Sequence, residues 1–208
     1  MLLISACTPE KAIVSAPAPP QPIVDAPPYV CKLVSAQAFR LVSGASGSFG
    51  EETTGTEESG ECQSPETTPR SLQVNWLQAD GKTGKEHLDF LMKDRRRLYS
   101  RHGGVALPAD LGDGLVAYVA SAPFAEQPYR ASSRFPCDGV DRLIDIYLPQ
   151  VAKGRDAIKD LIDLMRIAQT RYGKLHNCTP SAKTDRAPHQ PEDAAGNKIS
   201  EKRDSPRR

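Results

Sequence analysis

The chain has 208 residues and carries 27 Lys and Arg against 26 Asp and Glu, a formal net charge of +1. That length suits one ordinary domain with tails, and the near-neutral balance excludes a global field that would recruit nucleic acid or a strongly acidic partner. Charge is local instead: Glu51, Glu52, Glu57, Glu58 and Glu61 crowd one stretch, while "KDRRR" and "EKRDSPRR" lean basic. Such runs read as solvated loop and tail.

The chain opens on "MLLISACTPE", where Ile4, Ser5, Ala6 and Cys7 follow the aliphatic, small, small, cysteine order of a bacterial lipobox. Small residues let the processing peptidase close on the backbone, and the thiol accepts the diacylglycerol. Cys7 is therefore the expected lipidation site, and residues 1–7 the expected remnant of a lipoprotein signal peptide. A complete signal has a basic start and ~7–15 apolar residues. Here the apolar run is residues 2–4, with no Lys or Arg before it, so the coding frame is expected to start upstream, or the sequence to begin inside the signal. Residues 8–28 contain "APAPPQPIVDAPP", with six of the eighteen prolines. They read as a polyproline II linker, a semi-rigid spacer of ~3.1 Å per residue between lipid and domain.

The folded body is expected over 29–178. In "SAQAFRLVSG", Ser35 suits a helix N-cap, Ala36, Phe39 and Val42 share a face, and Gly44 suits the C-terminal cap. Residues 44–69 are rich in Gly, Ser, Thr and Glu and read as loop with at most one strand. "SLQVNWLQ" alternates Leu72, Val74 and Trp76 against Gln73 and Asn75, the pattern of a half-buried strand. "ADGKTGK" carries turn signals. "EHLDFLMKDRRRLY" sets Leu88, Leu91, Met92 and Tyr99 on one helical face. "PADLGDG" reads as a turn, "GLVAYVAS" as a strand, and "RLIDIYLP" as a strand with Ile144, Ile146 and Leu148 opposed to Asp145 and Tyr147. The clearest element is "GRDAIKDLIDLMRIAQTRYG", where Ile158, Leu161, Ile162, Met165 and Ala168 recur at helical spacing up to Gly173. Strands interleaved with a few helices, without a βαβ repeat, predict an α+β fold: an antiparallel sheet with two or three helices packed on one face. Residues 179–208 hold almost no large apolar side chain and are expected to be a disordered polar tail. No stretch of ~18 apolar residues predicts a membrane-spanning helix.

Five cysteines are an odd number. With Cys7 lipidated, Cys31, Cys62, Cys137 and Cys178 form an even set that allows three pairings. Chain order favours Cys31–Cys62 with Cys137–Cys178, since each bridge then closes one half of the domain. A zinc site is the rival use, but the four are scattered and no CxxC pair is present.

"PYVCKLVSAQAFRLVSG" resembles the opening of a large family of uncharacterised actinobacterial envelope lipoproteins. In that family a lipidated cysteine and linker precede a C-x-L-[LV]-[ST] segment, a short helix, a second cysteine, a strand, a "GxGD"-like segment before another strand, and a closing helix. The matching positions are Cys31, Leu33, Val34 and Ser35, then Cys62, then "LGDGLVAYV" from Leu111, then the helix from Asp156. The family usually places a tryptophan within a residue or two of the second cysteine, whereas here Trp76 comes much later. The resemblance spans roughly residues 31–178. It implies an α+β fold, an envelope location and a Cys31–Cys62 bridge, and it implies no activity.

Signatures of established chemistry are missing: there is no Walker loop, G-x-S-x-G elbow, H-E-x-x-H or dinucleotide-binding glycine pattern. His87, His102, His176 and His189 have no partner at metal-ligand spacing, except that His176 lies near Cys178. Asp110 and Asp113 sit among glycines but fall short of a calcium loop. Asp156, Asp160 and Asp163 read as a wet helix face balanced by Arg155 and Lys159. "DRRRLYSRH" is a basic cluster able to meet lipid headgroups or an anionic wall polymer. Asn177-Cys178-Thr179 matches a glycosylation sequon, discounted for a bacterial chain. No catalytic residue, metal ligand or cofactor is expected. The expected protein is a lipid-anchored lipoprotein on the extracytoplasmic face of a cell membrane, with a domain that binds an envelope protein, lipid or wall component and no nucleic acid. The alternatives are an envelope enzyme with an unrecognised site and a cytosolic interaction protein.

Overall fold

A computed structural model describes residues 20–64 and 72–181. The expected lipidation site Cys7, the linker up to residue 19 and the tail after residue 181 lie outside the described residues. Two short strands, β1 (Tyr29–Val30) and β2 (Val34–Ser35), pair antiparallel and lead into α1 (Ala36–Ser43). The Ser35 side chain accepts a hydrogen bond from the Ala38 amide, and Gly44 ends the helix at φ 71°, so both expected caps are in place. β3 (Glu52–Gly55), β4 (Ser59–Gln63) and β5 (Gln73–Gln78) follow, then α2 (Gly81–Arg101) and β6 (Val105–Ala106). A turn of 3-10 helix at Ala109–Leu111 precedes β7 (Asp113–Tyr118), β8 (Tyr129–Cys137), β9 (Val140–Leu148) and α3 (Ala157–His176).

The fold is α+β. Seven strands form one antiparallel sheet in the order β3-β4-β5-β9-β8-β7-β6. Disulfides Cys31–Cys62 and Cys137–Cys178 are both formed, with Cα–Cα distances of 5.5 and 5.4 Å. The first ties the β1–β2 hairpin to β4. The second ties the end of α3 to the end of β8.

Two helices, α1 and α3, pack on one face of the sheet as expected, and the third, α2, covers the other. Strand period two decides this. On β9, Ile144, Ile146 and Leu148 face the main core with α1 and α3, while Leu143 joins a second cluster with Leu88 and Met92 of α2. The side of β9 that carries Asp145 and Tyr147 is therefore roofed by α2, and both residues are buried. β8 alternates in the same way. Ala131 and Phe135 face the main core, Ser133 meets Gln169 of α3, and Ser132 meets Tyr99 of α2.

Three boundaries move for local reasons. α2 begins at Gly81 rather than near Glu86, because packing of Leu88 and Met92 carries the helix back through residues read as a turn. Helix α3 runs past Gly173 to an Asn177 cap at φ 50°. A Cβ on Gly173 would lie 2.6 Å from the Cys178 carbonyl oxygen and 2.7 Å from Pro180, so that glycine admits the returning chain rather than stopping the helix. The described part of the linker is docked: Ile23 packs on the core, and Tyr29 donates to Asp25 at 2.9 Å.

Candidate functional site

Between α2 and the sheet, polar groups form a hydrogen-bonded chain. Tyr99 Oη donates to Ser132 Oγ at 2.9 Å, Ser132 donates to Asp145 Oδ1, and Arg95 Nη2 donates to Asp145 Oδ2 at 2.9 Å and to Tyr147 Oη at 3.2 Å. Burial raises the Tyr99 phenol well above its ordinary value and Asp145 pushes the same way, so it stays protonated and donates. Burial works against the Arg95 charge, but Asp145 outweighs it and the net direction is upward. Ser132 and Asp145 are buried beneath the helix, so this network joins α2 to the sheet rather than meeting substrate.

Three arginines of the basic cluster are paired in the same way. Arg95 goes to Asp145, Arg96 to Asp113 and Arg97 to Asp94 at 2.8 Å. Asp110 meets Arg166 at 3.0 Å, so both carboxylates of "PADLGDG" are paired with guanidinium groups. Asp156 caps α3, and Asp160, expected on a wet face, is buried against Arg155. His87 and His102 are exposed, and His189 lies outside the described residues. Among the described residues there is no group of three or more His, Cys, Asp or Glu side chains placed to hold a metal ion. No described helix is long and apolar enough to cross a membrane.

What remains is a recess of about 370 Å³ between the β1–β2 hairpin, β3–β5 and the end of α3, within the ~300–1,000 Å³ range of small-molecule sites. Its walls are mostly apolar: the Cys31–Cys62 bridge, Leu33, Trp76 and Leu175. Trp76 is fixed by Nε1 donating to the Thr56 carbonyl at 3.0 Å. Register sets Gly60 opposite Trp76, and a Cβ there would lie 2.4 Å from the indole ring, so only glycine lets the ring lie flat on β4.

Tyr172 and His176 of α3 close the recess, their rings stacked at 4.1 Å. The Tyr172 ring also meets Phe135 edge-on at 5.9 Å. Tyr172 is 1% exposed, and its Oη has no hydrogen-bond partner among the described residues. Burial raises the Tyr172 phenol above its ordinary value, with Arg142 pulling it back. Burial and then the Arg142 charge hold the His176 imidazole below its ordinary value, against Glu57 and Glu58. Arg142 lies on β9, beside Phe135 and Gln78 in the register. It is 8% exposed, and its Nε and Nη1 have no hydrogen-bond partner among the described residues. A buried guanidinium is ordinarily paired.

Sequence reasoning paired both cysteines of this site and put Trp76 on its strand, but it did not bring Tyr172, His176 and Arg142 to them. His176 was noted only for its neighbour Cys178, Arg142 was not singled out, and Tyr172 falls in the α3 pattern without comment. An unpaired buried hydroxyl destabilises a core by about 1–3 kcal/mol. Tyr172→Phe, which keeps the ring contacts, is therefore expected to leave stability unchanged or raise it by about 1 kcal/mol. Urea unfolding measures it, and a loss above that size would mean the hydroxyl is bonded in the folded protein. Comparison with known proteins returns no match: no family model, no curated protein and no solved structure is similar to this chain.

Proposed function

We propose that this chain is an extracytoplasmic domain held to a membrane by a lipid on Cys7, and that its body binds a ligand rather than transforming one. The observation that carries the reading is the pair of disulfides, one at each end of the body, which leaves Cys7 as the odd cysteine. Stable disulfides belong to oxidising compartments. A diacylated cysteine supplies enough CH2 groups, at ~0.8 kcal/mol each, for lasting attachment. The binding part is supported by the apolar recess beside the Cys31–Cys62 bridge. The Ser132 and Asp145 network supports it too, because it is buried where no substrate reaches.

Intact-mass measurement on protein taken from its native membrane tests the reading. The expected species carries diacylglycerol on Cys7 and has lost two hydrogens for each of the two bridges. Cys7→Ala is expected to move the protein from the membrane to the soluble fraction. An unmodified Cys7, with the other four cysteines open to alkylation, would refute it.

A further inference from the structure

We infer that the recess takes a single-chain amphiphile with a carboxylate head, its apolar tail lying along the Cys31–Cys62 bridge, Leu33 and Trp76 and its head drawn to the Arg142 and Tyr172 end. The inference rests on the binding reading above and names its ligand class. Two features of that end point to an anion. Tyr172 Oη and Arg142 Nε and Nη1 are all buried donors without an acceptor among the described residues, and an arginine has no acceptor of its own. The two groups also lie close together: Arg142 sits opposite Phe135 in the register, and the Tyr172 ring meets Phe135 edge-on at 5.9 Å. A carboxylate satisfies such donors with charge-assisted hydrogen bonds, about twice as strong as neutral ones.

The neighbours set the head's charge. Glu57 lines the recess, and Glu57 and Glu58 both act on His176. Lys32 lines the recess as well, so two cations face two nearby carboxylates, a balance that suits a singly charged head. The mostly apolar lining asks for a hydrocarbon tail. The Trp76 indole is already tied to Thr56, so it offers a face and no donor.

Trp76 is the single tryptophan of the chain, and it reports on the recess directly. The experiment titrates the oxidised full-length chain with dodecanoate, dodecanol and acetate, reading Trp76 emission. Dodecanoate is expected to give a saturable change at concentrations about tenfold or more below those needed for dodecanol, the worth of one charged hydrogen bond; acetate is expected to give none. Arg142→Gln and Tyr172→Phe are each expected to weaken dodecanoate and leave dodecanol unchanged. If Arg142→Gln fails to fold, Tyr172→Phe, which keeps its packing, decides alone. Equal response to dodecanoate and dodecanol, no response to either, or dodecanoate affinity untouched by the variants overturns the inference. None of these outcomes touches the Cys7 anchor, which the mass measurement reads separately.

Discussion

Replacing Cys137 and Cys178 together by alanine is expected to lower the unfolding free energy by about 4 kcal/mol, and replacing Cys31 and Cys62 by slightly less. The bridges span sequence separations of 41 and 31 residues, and the loop-entropy relation gives about 3.9 and 3.7 kcal/mol for loops of these lengths. Against a typical total of ~5–15 kcal/mol, either loss is large. The two differ in kind as well. Cys137–Cys178 holds the end of α3 to the end of β8, where Gly173 already admits Cys178 and Pro180 at close range. Its loss should free the end of α3. Cys31–Cys62 forms a wall of the recess, so its loss should also change Trp76 emission. Urea unfolding with and without reductant measures both, and coincident midpoints for oxidised and reduced protein would contradict the expectation.

Asp145→Ala is expected to cost about 3–5 kcal/mol, the range for removing one partner of a buried ion pair. Asp145 is 1% exposed and accepts from both Arg95 and Ser132, with Tyr99 behind the serine. Truncation leaves the Arg95 cation with only the more distant Asp94, at 4.0 Å, and removes the acceptor of Ser132. Adding Arg95→Met to the variant removes the uncompensated charge and is expected to restore part of the loss. A double-mutant cycle over Asp145 and Arg95 measures the coupling. A coupling near zero would mean that α2 is held by Leu88, Met92 and Tyr99 alone.

How much of this was legible in the sequence depended on whether the period of an element stood apart from its composition. The repeat of α3 and the alternation of β9 were clear, because Ile144, Ile146 and Leu148 are aliphatic where they meet the core. β8 was not legible. "YRASSRFPC" carries no clear period and is assigned no element, yet it is a nine-residue strand near the centre of the sheet. Its polar side chains are satisfied by groups distant in sequence: Ser132 by Asp145 and Tyr99, Ser133 by Gln169 and the Leu111 carbonyl, and Arg134 by Asp89 and Asp141. β3 and β4 were hidden in the same way, in a stretch of Glu, Thr, Ser and Gly.

The recess shows the same division. The second cysteine and the tryptophan stand apart in the chain, but Cys62 pairs with Val74 and Gly60 with Trp76, so both line one wall. Sequence distance around Cys62 was therefore a poor guide to what surrounds it.

The sequence by itself determined the α+β class, the α1 caps, the amphipathic closing helix and the availability of four cysteines for two bridges, because these follow from local periodicity, backbone preference and counting. The tertiary structure alone decided that α2 roofs the second face of the sheet, that the DRRR arginines are spent on Asp145, Asp113 and Asp94, and that Arg142 and Tyr172 are buried on either side of Phe135. Local rules fix what a residue prefers, but a buried charge or hydroxyl takes its meaning from whichever donor or acceptor the fold brings to it.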